Sequence, residues 1–133
     1  MADSLTCTVV TPEQTALETK AEFVALQLFD GEIGIAANHS PLIGRLGYGE
    51  MRIMQGEDAR RLYVDGGFVQ VVENVVSVLT NRAVDVRDLN VAVSEEQLRT
   101  AIAMKGDTDE RQAIRERSIA QARGQLRAAR HAS

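Results

Sequence analysis

Three side chains of the types that bind divalent metal ions lie in one turn-rich segment. Asp30, Glu32 and His39 supply carboxylate oxygens and an imidazole, which several divalent ions accept as ligands. The only other histidine, His131, stands near the C-terminus, so a second imidazole is missing from this segment. We therefore favour a loop surface for a partner protein over a metal site, and we expect no cofactor.

The single cysteine could act as a nucleophile if a base lay beside it. Cys7 with His39 and an acid would form such a set. However, Cys7 shares one face of a predicted strand with Leu5 and Val9, which indicates a side chain packed in the core. We find no catalytic set and expect that the protein is not an enzyme.

Two glycine-rich stretches resemble phosphate-binding loops only superficially. Gly44, Gly47 and Gly49 precede a strand-like segment, whereas a phosphate loop leads into a helix N-terminus. The stretch Asp65-Gly66-Gly67 lacks the lysine and the hydroxyl of such a loop. We interpret both stretches as turns between strands.

A cluster of arginines near the C-terminus allows two interpretations. It consists of Arg111, Arg115, Arg117, Arg123, Arg127 and Arg130, opposed by Glu110 and Glu116. The arginines can form a solvated helix face, with cations placed favourably toward the helix C-terminus. Alternatively they can dock onto an acidic surface, because a guanidinium group pairs well with carboxylates. The residues alone leave both interpretations open.

The elements that carry these residues change type along the chain. Up to about Ala83, short apolar segments alternate with turn residues, which is typical of a small β-sandwich or barrel. Turns are predicted at Asp30-Gly31, at residues 56–58 and at Glu73-Asn74, the last within a hairpin of residues 68–72 and 75–79.

After Arg87 the pattern predicts two helices. A capping box at residues 94–97 begins the first helix, and Gly106 ends it. Asp107 with Glu110 offers the second start, and one narrow apolar seam follows. The seam consists of Ile119, Ala122, Leu126 and Ala129. Because the seam is half alanine and Gly124 lowers helix propensity, we expect a weakly attached arm.

Composition divides the chain at the same place. Residues 1–88 hold 13 acidic and 7 basic side chains, whereas residues 89–133 hold 6 acidic and 8 basic ones. We therefore predict a β-sandwich domain over 1–88 and a two-helix arm over 89–133. A length of 133 residues excludes a two-domain enzyme, and the net charge of −4 argues against a nucleic-acid-binding protein.

The sequence also bears on location. Its start lacks the basic and long apolar regions of a signal peptide, which favours the cytosol. No apolar run approaches the roughly 20 residues that cross a bilayer, so we expect membrane association only through a partner.

Several motifs in a fixed order strongly resemble the epsilon subunit of bacterial F-type ATP synthase. They are Thr11-Pro12-Glu13-Gln14, residues 30–35 (DGEIGI), His39-Ser40-Pro41-Leu42, residues 49–53 (GEMRI) and residues 64–68 (VDGGF). The resemblance covers essentially the whole chain. It implies a sandwich of about ten strands followed by a helical hairpin.

The resemblance also implies a function. Members of this family are non-catalytic subunits of the rotating central stalk, where the sandwich binds the gamma subunit and the ring of c subunits and couples proton flow to ATP synthesis. It makes Asp30, Gly31, Glu32 and His39 candidate contacts to gamma and the c ring. It places the protein peripherally on the cytoplasmic side of a bacterial inner membrane.

In that family the arm can fold down on the sandwich or extend along gamma, where its basic second helix opposes an acidic segment of the beta subunit and restrains ATP hydrolysis. The resemblance thus favours docking for the arginine-rich helix. Its candidate residues are Arg111, Arg115, Arg117, Arg123 and Arg127.

Some family members bind ATP where the arm begins, through a pattern of Ile or Leu, Asp, two variable residues, Arg and Ala. Here Asn90 replaces the acid and Val93 replaces the arginine, so the charge-assisted contact is missing. This difference argues against ATP sensing. The valines also favour a helix that begins only at Ser94.

A second hypothesis comes from a different functional class. The sandwich could hold a pocket for a small ligand, with the helical hairpin as a lid. Such a protein would be a freestanding monomer, whereas a stalk subunit would copurify with larger ATPase subunits.

Overall fold

A computed structural model describes residues 4–132 as a sandwich followed by two helices. The eight strands are β1 (Leu5–Val10), β2 (Thr15–Ala21), β3 (Phe23–Leu28), β4 (Gly31–Ala36), β5 (Leu42–Gln55), β6 (Asp58–Val72), β7 (Val75–Leu79) and β8 (Ala83–Asp85). A single 3₁₀ turn, Val86–Asp88, leads to α1 (Val91–Ile102) and α2 (Asp109–Ala132).

The strands form one continuous sheet that folds over on itself. Their order is β2-β1-β7-β6-β5-β3-β4, and β8 pairs with β6. Leu5, Cys7 and Val9 of β1 belong to the same buried cluster as Val24 and Leu26 of β3, although β1 and β3 are far apart in the strand order. This shared core shows that the two halves of the sheet face each other as a sandwich, which confirms the predicted fold class.

The strand number differs from the expected ten because two strands are long. β5 has 14 residues and β6 has 15. The C-terminal part of β6 pairs with β7, and its N-terminal part pairs with β8, so β6 serves both layers. Because β5 and β6 are long, eight continuous strands form the sandwich for which about ten strands were expected.

The two glycine-rich stretches lie inside these long strands, so their prediction as turns was wrong. Gly44, Gly47 and Gly49 belong to β5, and the stretch Asp65-Gly66-Gly67 belongs to β6. Gly66 and Gly67 have φ values of 70° and 107°, which only glycine adopts without strain. A Cβ atom at Gly67 would lie 1.9 Å from the carbonyl oxygen of Leu79, so glycine also permits the close approach of β7.

The remaining turn predictions are confirmed to within one residue, since Gly31 and Asp58 already belong to β4 and β6. Phe29 and Asp30 connect β3 to β4, and Gly56 with Glu57 connects β5 to β6. Glu73 and Asn74 join β6 to β7, with φ values of 49° and 65° at the two turn residues. Two successive positive φ values are typical of a type I′ turn, whose twist matches that of the flanking strands.

Both helices differ from prediction at their ends. α1 begins at Val91 and not at Ser94, because the Asn90 side chain accepts a hydrogen bond from the backbone N–H of Val93 at 3.0 Å. This cap is as effective as the expected one. α1 ends at Ile102, four residues before Gly106.

α2 begins at Asp109, two residues after the predicted start signal at Asp107. The Thr108 hydroxyl accepts a hydrogen bond from the backbone N–H of Arg111 at 3.1 Å. Threonine is a favoured capping residue, so Thr108 and not Asp107 accounts for this helix start.

We expect Gly67→Ala to lower the free energy of unfolding by about 2–4 kcal/mol, since it combines a strained φ with a backbone collision. Gly56→Ala is the matched control. Gly56 also has a positive φ, 61°, but has open space around its Cβ position. The control should lose only about 1–2 kcal/mol. Equal losses in urea unfolding of the two variants would contradict the role of the close approach.

Candidate functional site

The two helices pack on each other and the C-terminal half of α2 packs on the sandwich. Ala101 of α1 is buried, as are Ala122, Leu126 and Ala129 of the predicted seam, and Ile119 is half-buried. A second buried set on α2, Gly124 and Ala128, lies between these seam residues. The helix therefore uses one face for α1 and another for the sandwich.

Gly124 marks the closest approach of α2 to the sheet. A Cβ atom built there would lie 2.5 Å from the carbonyl oxygen of Tyr48 in β5. The sequence pattern identified Gly124 only as a source of weak helicity. In the structure its missing side chain lets the helix backbone reach the strand backbone.

A small apolar cluster continues this contact toward the C-terminus. Tyr63, Val86 and Ala128 are buried together, and partly buried side chains, Tyr48 among them, surround them. Tyr63 is fully buried although it lies outside the main core. We call the surface formed by Tyr48, Tyr63 and Val86 the docking ledge. Small residues on α2 suit this ledge because they let the two aromatic rings lie close to the helix.

A polar network borders the docking ledge. The Tyr63 hydroxyl donates to a carboxylate oxygen of Asp65 at 2.8 Å, and the Gln121 amide of α2 reaches the other carboxylate oxygen at 3.4 Å. Burial, followed by the nearby Asp65 charge, raises the pKa of Tyr63 well above its ordinary value. The tyrosine is thus a neutral donor, and Asp65 joins the sandwich to the helix.

An ionic cluster lies at the end of α2. The Arg61 guanidinium pairs with Glu50, and both contact the ring of His131. His131 Nδ1 lies 3.0 Å from a Glu50 oxygen. Burial raises the pKa of Glu50, but hydrogen bonds and charges from Arg61 and His131 outweigh burial and leave the pKa below its ordinary value. Glu50 is therefore ionised when the helix is docked.

The five arginines of the predicted inhibitory set divide into two groups. Arg111 forms an ion pair with Asp107 at 2.9 Å, and Arg115 donates to the carbonyl oxygen of Ile102 at 3.1 Å. Arg117, Arg123 and Arg127 have no hydrogen bond or ion pair to any residue between 4 and 132. Arg115 thus links α2 to the end of α1, Arg111 is paired beside the start of α2, and the other three offer their charge to solvent.

The candidate contact residues lie at the two ends of β4, with Asp30, Gly31 and Glu32 at one end and His39 past the other. Asp30 and Gly31 are exposed where β4 begins, and Glu32 forms an exposed ion pair with Arg52 at 3.0 Å. His39 follows the end of β4, where its Nδ1 lies 2.7 Å from the Ser40 carbonyl oxygen. Since β4 has six residues, it separates the two groups by about 17 Å. The structure does not bring them into one site.

An exposed apolar band lies beside the turn that carries Asp30. Phe29, Phe68 and Leu79 expose 71%, 58% and 52% of their surface, and the Arg45 guanidinium lies 4.8 Å from the centre of the Phe29 ring. A groove of about 1130 Å³ runs between this band and α2, where Arg117 lines it. Exposed aromatic side chains in a group commonly mark a protein–protein contact.

Cys7 and the potential metal ligands can be compared with their positions among the described residues. Cys7 is fully buried, and burial raises the pKa of its thiol to about 12, so the thiolate nucleophile is not available. Between residues 4 and 132 no three His, Cys, Asp or Glu side chains are placed to hold a metal ion. No helix in that range is long and apolar enough to span a bilayer.

Comparison with known proteins identifies the family. Residues 4–86 match the family described as ATP synthase, Delta/Epsilon chain, beta-sandwich domain. A protein named ATP synthase epsilon chain from Rhodopirellula baltica is 46% identical over 127 residues, which cover 96% of this chain and 99% of the relative. The chain belongs to the ATP synthase delta/epsilon family.

Two solved structures have the same fold as this member of the delta/epsilon family. A chain in the Euglena gracilis mitochondrial ATP synthase, determined with OSCP, F1 and the c-ring, superimposes with a TM-score of 0.86 at 20% identity. The match covers 98% of this chain and 84% of that one. A chain in the central stalk and c-ring structure from Tetrahymena thermophila gives a TM-score of 0.69 at 15% identity, with coverages of 94% and 96%.

Membership of this family confirms the resemblance drawn from the ordered motifs. The protein is an epsilon-type subunit of ATP synthase and not itself an enzyme. Its partners are therefore other parts of ATP synthase. The hypothesis of a freestanding ligand-binding protein is displaced.

Several residues of this epsilon-type subunit were missed by sequence reasoning. Tyr48, Arg61 and Tyr63 gave no motif, and Glu50 was noted only as part of GEMRI, because these residues become neighbours of α2 only through the tertiary fold. Gly124 did give a signal. A glycine inside a helix rich in alanine and arginine can mark a close backbone approach.

Glu50 should make the docked state sensitive to acid. Because the pKa of Glu50 is lowered from its ordinary 4.5, its contribution to stability is present above that pH and is lost as the pH falls through the folded-state pKa. We therefore expect Glu50→Gln to lower the melting temperature at neutral pH. The difference from the wild-type protein should shrink toward zero as the pH falls below the folded-state pKa of Glu50.

Circular dichroism melting curves of both proteins at a series of pH values measure this effect. Glu57→Gln is the matched control, because Glu57 lies in the exposed turn between β5 and β6. It should change the melting temperature little at any pH. A destabilisation by Glu50→Gln that did not change with pH would contradict the ionic role of this carboxylate.

Proposed function

We propose that this epsilon-type subunit acts in the central stalk of a proton-translocating F-type ATP synthase. In this proposal the sandwich binds the gamma subunit and the c ring, and the helical arm restrains ATP hydrolysis. The match of residues 4–86 to the family's sandwich domain carries the proposal, supported by a relative that matches nearly the whole chain. The assembled enzyme would hold the subunit peripherally on the cytoplasmic side of a bacterial inner membrane.

The sandwich, over residues 1–88, would supply the rotor contacts. Asp30, Gly31 and Glu32 lie at one end of β4, and His39 lies past the other end. Because a strand separates them, we assign them to two distinct contacts with gamma and the c ring. The exposed band of Phe29, Phe68 and Leu79 adjoins the Asp30 turn and would extend the contact on that side.

The arm, over residues 89–133, would supply the inhibition. Arg117, Arg123 and Arg127 point their charge to solvent, and this arrangement suits pairing with an acidic segment of the beta subunit. Arg111 and Arg115 are already bound within the helical hairpin. Arg115 would keep α2 joined to the end of α1, and both arginines would contribute less to the contact with beta.

The ATP-binding pattern of some relatives is replaced by a helix cap in this chain. Asn90 uses its side-chain oxygen to cap α1, and Val93, which stands at the arginine position of that pattern, is 54% exposed. Neither side chain offers a cation for a phosphate group. We therefore propose that the arm is not controlled by ATP bound at this site.

The three solvent-directed arginines provide a direct test of inhibition. Replacing Arg117, Arg123 and Arg127 together by glutamine should raise ATP hydrolysis by the reconstituted enzyme, on the order of tenfold if three exposed ion pairs of about 0.5 kcal/mol each are lost. Deletion of residues 89–133 should give the fully relieved rate, with assembly and coupling retained.

The matched control is Arg111→Gln, which removes an arginine that is paired inside the arm. It should change hydrolysis much less than the triple variant. Hydrolysis that stays at the wild-type rate in both the triple variant and the deletion would refute an inhibitory arm.

A substitution in the exposed band tests the proposal that this protein is a stalk subunit. Phe68→Glu should leave the isolated chain folded, because this ring is 58% exposed, yet should weaken binding to the purified gamma and c-ring assembly on the order of tenfold or more. Gln55→Glu, at an exposed position at the far end of β5, is the control and should bind normally. Equal binding of the two variants would show that the band is not part of the interface. If the wild-type chain did not copurify with ATPase subunits, the proposal of a stalk subunit would itself be refuted.

A further inference from the structure

Gly124 is unfavourable for the isolated helix but favourable for the docked helix. In a free helix, alanine is favoured over glycine by about fivefold in the helix–coil equilibrium. In the docked helix, a Cβ atom at this position would lie 2.5 Å from the oxygen and 2.9 Å from the carbon of the Tyr48 carbonyl group. The residue that is poor for the helix alone is thus the one that the docked helix requires.

The Tyr48 carbonyl group cannot easily move away from such a Cβ. Tyr48 stands opposite Asp65 in the β5–β6 ladder, and its side chain packs at the docking ledge. The glycines on either side of it are also confined. A Cβ at Gly47 would lie 3.1 Å from the Leu28 carbonyl oxygen, and one at Gly49 would lie 3.1 Å from Gln27. Shifting Tyr48 would therefore press β5 against β3.

The helix cannot easily slide away either, because polar contacts lie on both sides of Gly124. Gln121 bonds to Asp65 one turn earlier, and His131 joins the Glu50–Arg61 pair two turns later. Ala128, one turn after Gly124, is buried against Tyr63 and Val86. A displacement large enough to accommodate a methyl group would break these contacts together.

We propose that Gly124 acts as a conformational switch point that keeps the arm docked when no partner holds it. A side chain at this position weakens the docked state by collision with Tyr48 and, if it is alanine, strengthens the helix of the released arm. Both effects favour release. The inference rests on the proposed function only for the step from release to inhibition of hydrolysis.

The proposal reverses the usual expectation for a glycine in a helix. Replacing it by alanine normally stabilises a helical protein. Here Gly124→Ala should release the arm and make more of it available to the catalytic subunits. The assembled enzyme should then hydrolyse ATP more slowly than wild type, whereas deletion of the arm should make hydrolysis faster.

Amide hydrogen exchange on the isolated full-length chain tests the docking step. Gly124→Ala should increase exchange on the order of tenfold at the docking ledge, in the β5 and β6 segments that α2 covers, while the rest of the sandwich keeps its protection. Gly124→Ser adds the same Cβ without the helix propensity of alanine and should give the same increase. Ser118→Ala is the control. Ser118 lies in the groove between α1 and α2, so its replacement by alanine raises helix propensity without touching Tyr48.

The outcomes separate the inference from the proposed function. Wild-type exchange at the ledge in both Gly124 variants would overturn the switch. Faster exchange in both variants supports it, and slower hydrolysis in the complex with Gly124→Ala supports the inhibitory arm as well. Faster exchange with unchanged hydrolysis would leave the switch supported and count against the inhibitory arm alone.

Discussion

The β5–β6 pair is the constraint on which the rest of the structure depends. Its two strands run 14 and 15 residues and pass through both layers of the sandwich, so a single ladder ties the layers together. The positive φ values at Gly66 and Gly67 allow this passage at the point where β7 lies closest. The same stretch presents Tyr48 and Tyr63 to the helical arm and Phe68 to the exposed band. Core, docking ledge and exposed band therefore share one ladder.

Much of the fold follows from local sequence signals. Alternation placed Cys7 and its neighbours in the core, and the Glu73-Asn74 turn could be predicted because it stands between two apolar strand segments, with Asn74 a residue that tolerates positive φ. The seam on α2 was readable from its spacing. The glycine-rich stretches of β5 and β6 were wrongly predicted to be turns. Glycine is favoured both in turns and where two backbones approach closely, and only its tertiary neighbours distinguish these two roles. Similarly, Asn90 and the Ser94 box both suit a helix start, and their strengths as caps do not differ enough to choose between them.

The candidate site was predicted less completely than the fold. The arginine cluster was visible as charge, but its division into bound and solvent-directed members depends on where α1 ends, since Arg115 bonds to the Ile102 carbonyl. Glu50, Arg61 and His131 are far apart in sequence and meet only when α2 lies on β5. Asp30 and His39, conversely, are near in sequence and far apart in the fold. Sequence distance and spatial distance therefore differ most at the ionic cluster and at the candidate contact residues.

The parallel pairing of β1 with β7 has a consequence for how the protein is made. β1 pairs with β2 soon after it in the chain, but its second neighbour, β7, follows only about 70 residues later, since Thr6 pairs with Val75. Contacts of such long range form slowly, and the sandwich cannot close until most of its chain has been synthesised. The arm is translated after β7, when the surface that receives it can already exist. Synthesis order thus favours a nascent subunit that begins its life with the arm docked, before it meets the rest of the enzyme.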